Sequence, residues 1–311
     1  SNLELPVSNR FATNKLSDPG NKIISIPLGE TKITRPVKSI DIIFKTCTTV
    51  NLVTQNKKRI FEKEKSEYTF RTINSIINSL EFDKEIFKRI NIKIYVVDHN
   101  SKKEDLEIIE NILKTTNIDF KIINLDIKKL NQIKTLNKNN NVIENNMKAT
   151  MASILTSFNI AKEKSNDLIY FVEDDYIHEK KAICEMIFAY ERIATQIKSE
   201  IILCPTDYPY LYTKAENTKV FLGEEFHWRI INDSLCTFLT SNKIINDYEN
   251  KLVSMCQFEH FPFEAPLHDI YKEVLCVSPI PSLAIHCTNV NSIYGLSPNK
   301  DWERIWDENE I

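Results

Sequence analysis

The chain has 311 residues, 42% hydrophobic and 27% charged, a composition that places it among folded globular proteins and excludes wholesale disorder. Its 40 basic residues nearly cancel its 43 acidic ones, so the net charge of −3 gives no global attraction to nucleic acid or to an anionic membrane. No apolar stretch nears the ~20 residues of a bilayer span, and SNLELPVSNR shows no signal-peptide pattern. The expectation is a soluble, cytoplasmic protein with at most peripheral contact at the inner face of a membrane.

Pro6, Pro19, Pro27 and Pro36 punctuate residues 1–37 and predict an extended N-terminal arm. From there the pattern is strand (39–47), helix (68–80, with Phe70, Ile73, Ile76, Ile77 and Leu80 at helical spacing), strand (92–101), helix (104–114) and strand (120–125). Strands alternating with helices predict parallel strands joined by crossover helices. Residues 128–146 are rich in Asn and Lys and read as a solvated loop. A helix over 147–164 then buries Met151, Ile154, Leu155, Phe158 and Ile160. It leads into LIYFVEDDYIH (168–178), where five apolar residues run into Glu173, Asp174 and Asp175.

A helix is expected over 179–197, followed by a strand and aromatic loop (200–212). Residues 220–241 read as a hairpin, because SLCTFLTS is rich in strand-favouring residues. Helices over 242–252 and 268–274, an extended segment over 275–287 and an acidic tail whose Asp301, Trp302, Trp306 and Asp307 dock it on the body, or mark a dimer contact, complete the chain. Seven cysteines without a CxxC pair read as reduced, buried thiols, not as a zinc site. Gly20, Gly29, Gly223 and Gly295 are too far apart for GxGxxG or for a P-loop, so any nucleotide phosphates must be held another way.

Ligands of open α/β sheets bind at the carboxyl ends of the strands, and two strands here end in acids, Asp98 and the run from Glu173 to Asp175. Adjacent carboxylates repel one another and resist desolvation unless a cation sits among them. A divalent ion meets that need, and all-oxygen ligation suits Mg²⁺ or Mn²⁺, which in turn holds a diphosphate without a glycine cradle. The alternative is an acidic turn in which Asp174 or Asp175 caps the next helix.

These residues resemble those of glycosyltransferases of the GT-A fold, in the manner of family 2. Phe171-Val172-Glu173-Asp174-Asp175 is similar to a Glu-Asp-Asp variant of the family's DxD signature. Val96-Val97-Asp98-His99-Asn100-Ser101 is similar to its second-strand VVDDGS, with His99 and Asn100 departing from it. The resemblance implies an α/β GT-A fold with a central, mostly parallel sheet flanked by helices and a more irregular C-terminal acceptor half. Its extent implies an arm over 1–37, a catalytic domain over 38–290 with halves meeting at 178 and 179, and a tail from 291. It further implies that Glu173 lies near the ribose with Asp174 beside it, and that Asp98 contacts the base or ribose. Thr46 and Asn100 would line the nucleotide pocket, and Asp175 would hold the metal.

In the second half, His268-Asp269 is similar to the family's ED motif, which makes Asp269 the first choice for the base that deprotonates the acceptor hydroxyl and Glu264 the reserve. A helix cap is the other use of either. His286 stands where such enzymes place a metal-binding His, although a lone His after an apolar run also serves in cores. His178 is a lesser candidate that starts the next helix. Arg229 and Asp207 are candidates for orienting hydroxyls or phosphates, while Phe226 and Trp228 offer faces to sugar rings or pack in the core. The expected activity is metal-dependent, inverting transfer of a sugar from a nucleoside diphosphate to a carbohydrate or lipid-linked glycan acceptor, with a homo-oligomer possible. The rival classes are a nucleotidyltransferase acting on a sugar phosphate and an inactive carbohydrate-binding module.

Overall fold

The computed structural model describes residues 23–26, 29–49, 59–130, 133, 134, 136, 137, 139, 141 and 145–311. Most of the expected arm, and parts of the Asn-rich loop, lie outside the described residues. What is described of the arm is an antiparallel ribbon, β1 (Ile23–Ile26) with β2 (Gly29–Lys32). Arg35 beyond it pairs with Asp167 at 2.6 Å and with Glu200 at 2.8 Å.

Three parallel neighbours form the centre: β3 (Ser39–Thr46), β4 (Asn91–Asp98) and β6 (Leu168–Glu173), with β5 (Asp119–Asn124) outside β4. Helices cover both faces, so these strands are apolar on both sides, and Ile40, Ile42, Ile94, Val96, Leu168 and Tyr170 are all fully buried. Each such side chain contributes ~1.5–3 kcal/mol on leaving water. A carboxylate inside the run forfeits that, and Asp41 of β3 is such a group, its carboxyl pushed up by burial, while Asp98 and Glu173 stand at the ends of their strands.

One helical layer is α1 (Lys65–Phe82), α3 (Lys103–Lys114) and α5 (Ala182–Ile197), with the short α2 (Lys84–Phe87) after α1. The other layer is α4 (Asn145–Lys164), α6 (Asn242–Asp247), α7 (Glu249–Gln257) and α8 (Ala265–Tyr271). Ser241 starts α6 by accepting a hydrogen bond from the Ile244 N–H at 3.3 Å.

The sheet continues past β6 through β11 (Phe238–Ser241), β8 (Ile202–Leu203), β12 (Cys276–Ile280), β10 (His227–Ile230) and β9 (Val220–Leu222), nine strands in all. Seven run one way and only β10 and β11 oppose them, so the expected α/β class with a mostly parallel, helix-flanked sheet is what the chain forms. The expected hairpin over 220–241 is corrected in part. β9 and β10 do pair, but SLCTFLTS leaves them to enter the sheet between β6 and β8. Phe238 stacks there against Phe171 at 5.0 Å, a burial that pairing with β10 would not provide. Glu185 of α5 fixes the β9–β10 hairpin, accepting from the Glu224 and Glu225 N–H groups and from Trp228 Nε1 at 2.9, 3.0 and 3.1 Å. Gly223 sits against Glu185 and Trp228 so closely that no Cβ fits.

A second small ribbon pairs β7 (Tyr176–His178) with β13 (Ala284–His286). The tail helix α9 (Trp302–Asp307) packs behind it, with Trp306 buried and its carbonyl accepting from Arg71 Nη1 at 2.6 Å. Among the described residues no helix is long and apolar enough to cross a membrane. None of the seven cysteines is paired, and six are buried.

Candidate active site

Parallel register sets the site. Thr46 pairs across to Asp98 and Lys45 to Glu173, so β3, β4 and β6 end at one edge with their polar residues level. Successive residues of a strand face opposite ways, and the acids therefore split between the two sides of the sheet.

Glu173 faces the α4 side and pairs with Lys45 at 3.0 Å, while its N–H donates to Thr237 Oγ1 at 3.0 Å. Its neighbours there are Ser157, Phe158 and Cys236, around a cavity of about 20 Å³. Asp174 faces the α1 side. One of its oxygens accepts from the Cys47 N–H (3.1 Å), Thr69 Oγ1 (3.1 Å) and Thr46 Oγ1 (3.3 Å), and the other meets Lys65 Nζ at 2.5 Å. Thr46 and Asp174, both expected at the nucleotide, thus satisfy each other.

Asp98 is different. It is 3% exposed, its Oδ2 accepts a 3.4 Å bond from the Ser101 N–H, and its Oδ1 is buried with no partner among the described residues. Burial pushes its carboxyl above the usual range, against the hydrogen bonds from Ser101. Asn100 takes up the left-handed turn after β4, at φ 57°, and its amide donates to Thr49 Oγ1 at 3.2 Å.

The β7–β13 ribbon brings Asp175 and His286 together from positions far apart in the chain. The Cys287 N–H donates to the Asp175 carbonyl at 2.9 Å, and His286 Nε2 stands 3.5 Å from Asp175 Oδ2. The Tyr294 carbonyl accepts from His286 Nδ1 at 2.7 Å, which turns Nε2 toward Asp175, and the ring stacks on Tyr176 at 4.8 Å. Burial opposes ionisation of Asp175, but Lys65 and then His286 outweigh it and hold the carboxyl well below its usual range. Burial likewise opposes protonation of His286, and Asp175 reverses that, raising the imidazole above its ordinary value.

Among the described residues no three His, Cys, Asp or Glu side chains gather as a ready-made metal cage. Asp175 Oδ2 and His286 Nε2 are two candidate ligand atoms 3.5 Å apart. That suits Mg²⁺ or Mn²⁺, which keep several waters and take their remaining ligands from substrate phosphates, so the residues fit the group.

The structure does not bring Asp269 to this edge. Helix α8 begins at Ala265, with Pro266 in its first turn, instead of at 268 as expected. Asp269 consequently falls late in the helix, exposed and paired with Lys272 at 2.6 Å. Glu264 takes the N-cap position, and its carboxylate acts electrostatically on Cys236, as Glu173 and Lys45 also do, and on Tyr294. His268 is spent on the loop before β11, with Nδ1 3.2 Å from Asp233 Oδ1 and Nε2 2.8 Å from the Ser234 carbonyl.

His178 does not start a helix either. It lies in β7, 1% exposed, between Ser75 and Tyr170. Phe226 and Trp228 are both buried, and Arg229 and Asp207 pair with each other. Sequence reasoning passed over Lys45, Lys65 and Arg59. Lys65 is turned inward only by the fold, where it meets Asp174.

No protein-family model matches the chain, and no curated protein matches it in sequence. Among solved structures it is similar to the crystal structure of S. aureus TarS 1-349, with 13% identity over 68% of this chain and a TM-score of 0.38. The match covers 49% of that chain, so this protein spans about half its length. A galactosyltransferase, LgtC, in complex with donor and acceptor sugar analogues is 11% identical over 75% of this chain and 66% of its own, with a TM-score of 0.33. The inositol-1-phosphate CTP transferase from T. maritima is 10% identical over 88% of this chain and 97% of its own, with a TM-score of 0.41.

Proposed function

We propose that the protein is a glycosyltransferase that moves a sugar from a nucleoside diphosphate to a hydroxyl of a carbohydrate acceptor. The observation that carries this reading is a buried carboxylate with an unused oxygen, Asp98, at the end of β4, together with an Asp175–His286 pair just past the end of β6. An unpaired buried acceptor is costly, which makes Asp98 the group that takes a hydrogen bond from the base or ribose. Asp175 and His286 would hold a divalent ion, which would supply charge stabilisation for the departing nucleoside diphosphate when bound. The Tyr294 carbonyl accepts from His286 Nδ1, so Nε2, which faces Asp175, is the ring nitrogen that would turn to the ion.

Glu264, at the head of α8, accepts the proton of the acceptor hydroxyl as that oxygen bonds to the anomeric carbon and the bond to the diphosphate breaks. This single displacement inverts the anomeric centre. We place the base at Glu264 because Asp269 is neutralised by Lys272 in solvent.

A thermal-shift screen of UDP, GDP, ADP, CDP and dTDP and their sugars, with and without Mn²⁺, tests the reading. One nucleotide is expected to raise the melting temperature selectively and in a metal-dependent way. No shift with any of them defeats the proposal, and pyrophosphate release from a nucleoside triphosphate moves the protein to the nucleotidyltransferases. Asp98→Asn is expected to leave the melting temperature unchanged or higher, since it removes a buried charge, while weakening the selected nucleotide by on the order of tenfold. Calorimetric titration reads that loss, and undiminished affinity removes Asp98 from the site.

A further inference from the structure

His286 is held from two sides. Its ring lies on that of Tyr176, with centroids 4.8 Å and planes 13° apart, and its Nδ1 donates to the Tyr294 carbonyl at 2.7 Å. The stack fixes the plane of the imidazole and the hydrogen bond fixes its rotation within that plane, which leaves Nε2 facing Asp175 Oδ2 at 3.5 Å. Tyr176 is fully buried in β7, and Tyr294 belongs to the loop after β13, so the two restraints come from separate parts of the chain.

One residue meets both of them. Tyr208, in the segment after β8, is fully buried, and its hydroxyl lies 2.6 Å from that of Tyr176. Its ring meets that of Tyr294 edge to face, at 5.3 Å and 86°. Tyr210 grips the same loop, its N–H donating to the Ile293 carbonyl at 3.0 Å and its ring lying 5.4 Å from that of Tyr294. Phenylalanine at 176 and 208 would give the same apolar burial without the cost of desolvating two hydroxyls, so what the pair adds is a directional link. We infer that Tyr208 is a positioning residue for His286: acting through Tyr176 and Tyr294, it keeps the imidazole in the orientation in which Nε2 and Asp175 Oδ2 can bind the same ion. This inference rests on the glycosyltransferase reading through the ion alone.

The test is Mn²⁺ binding to the full chain in the presence of the nucleoside diphosphate that the thermal screen selects. Electron paramagnetic resonance reads the affinity, and electron spin echo modulation reads the imidazole nitrogen on the ion. Tyr208→Phe keeps the ring against Tyr294 but takes this partner from the Tyr176 hydroxyl, and it is expected to melt lower and to bind Mn²⁺ about tenfold more weakly. The double variant Tyr176→Phe/Tyr208→Phe removes both hydroxyls together. Its melting temperature is expected to return toward that of the wild type, while Mn²⁺ stays about tenfold weaker and the nitrogen signal diminished. Wild-type Mn²⁺ affinity and nitrogen signal in the double variant would mean that the tyrosines serve the core alone, which overturns the inference and leaves the glycosyltransferase reading standing. Undiminished affinity in Tyr208→Phe overturns it likewise. A wild-type protein that binds no nucleotide, or no Mn²⁺, brings down the reading and the inference together. The double variant decides the matter even where Tyr208→Phe does not fold.

Discussion

Asp175→Ala is expected to lose sugar transfer and donor hydrolysis by on the order of 10³-fold, equivalent to ~4 kcal/mol at the transition state, while the protein stays folded. The fold survives because Lys65, the nearest cation, keeps its 2.5 Å contact with Asp174. The neighbouring acid behaves in the opposite way. Asp174 accepts from Cys47, Thr69 and Thr46 and pairs with Lys65 inside the protein, so Asp174→Ala strips the ammonium of its 2.5 Å partner, leaves three donors without their acceptor, and costs ~3–5 kcal/mol of stability. Donor hydrolysis and urea unfolding, measured on both variants, separate the two roles. Turnover near wild type in Asp175→Ala removes that acid from the chemistry, and equal unfolding midpoints for the two variants remove the distinction drawn between them.

The second large effect is acid sensitivity through His178. Ser75 Oγ donates to the Thr72 carbonyl at 2.7 Å, so the imidazole Nδ1–H must donate to Ser75 at 3.1 Å, and Nε2 accepts from Tyr170 Oη at 2.6 Å. That network satisfies a neutral ring completely. Burial lowers the imidazole from 6.5 to about 3. The unfolded chain therefore binds a proton that the folded one refuses across that window. Stability from this group is complete above pH 6.5 and drains as the pH falls toward 3, to a total of ~4 kcal/mol. Urea unfolding of the wild type and of His178→Gln from pH 7 to pH 4 measures it. The wild type is expected to lose stability more steeply, and parallel pH profiles for the two proteins would rule the effect out.

Much of the architecture was legible in the residues. The apolar runs over 39–47, 92–101, 120–125 and 168–172 form strands, and the helices over 104–114 and 147–164 lie within two residues of their expected bounds. Burial on both faces leaves no other use for the runs of β3 and β6, while the outer strand β5 is only partly covered. Where reading failed, the deciding contact was remote. Tyr176 to His178 carry no period of their own and form a strand only because residues 284–286 lie alongside, which delays α5 to Ala182. Pro266 set the start of α8 and so moved Glu264, not Asp269, to its head.

Composition and local pattern determined the α/β class, the absence of a glycine phosphate cradle, and the confinement of three acids to a strand end, because each follows from burial and backbone preference within a few residues. Which of those acids is a structural counter-ion and which faces His286, and that Asp98 at the end of β4 keeps a bare oxygen, were settled only in three dimensions. Charges act through space, and the partners Lys45, Thr69, Lys65 and His286 lie between 105 and 128 residues away along the chain, at distances the fold alone closes.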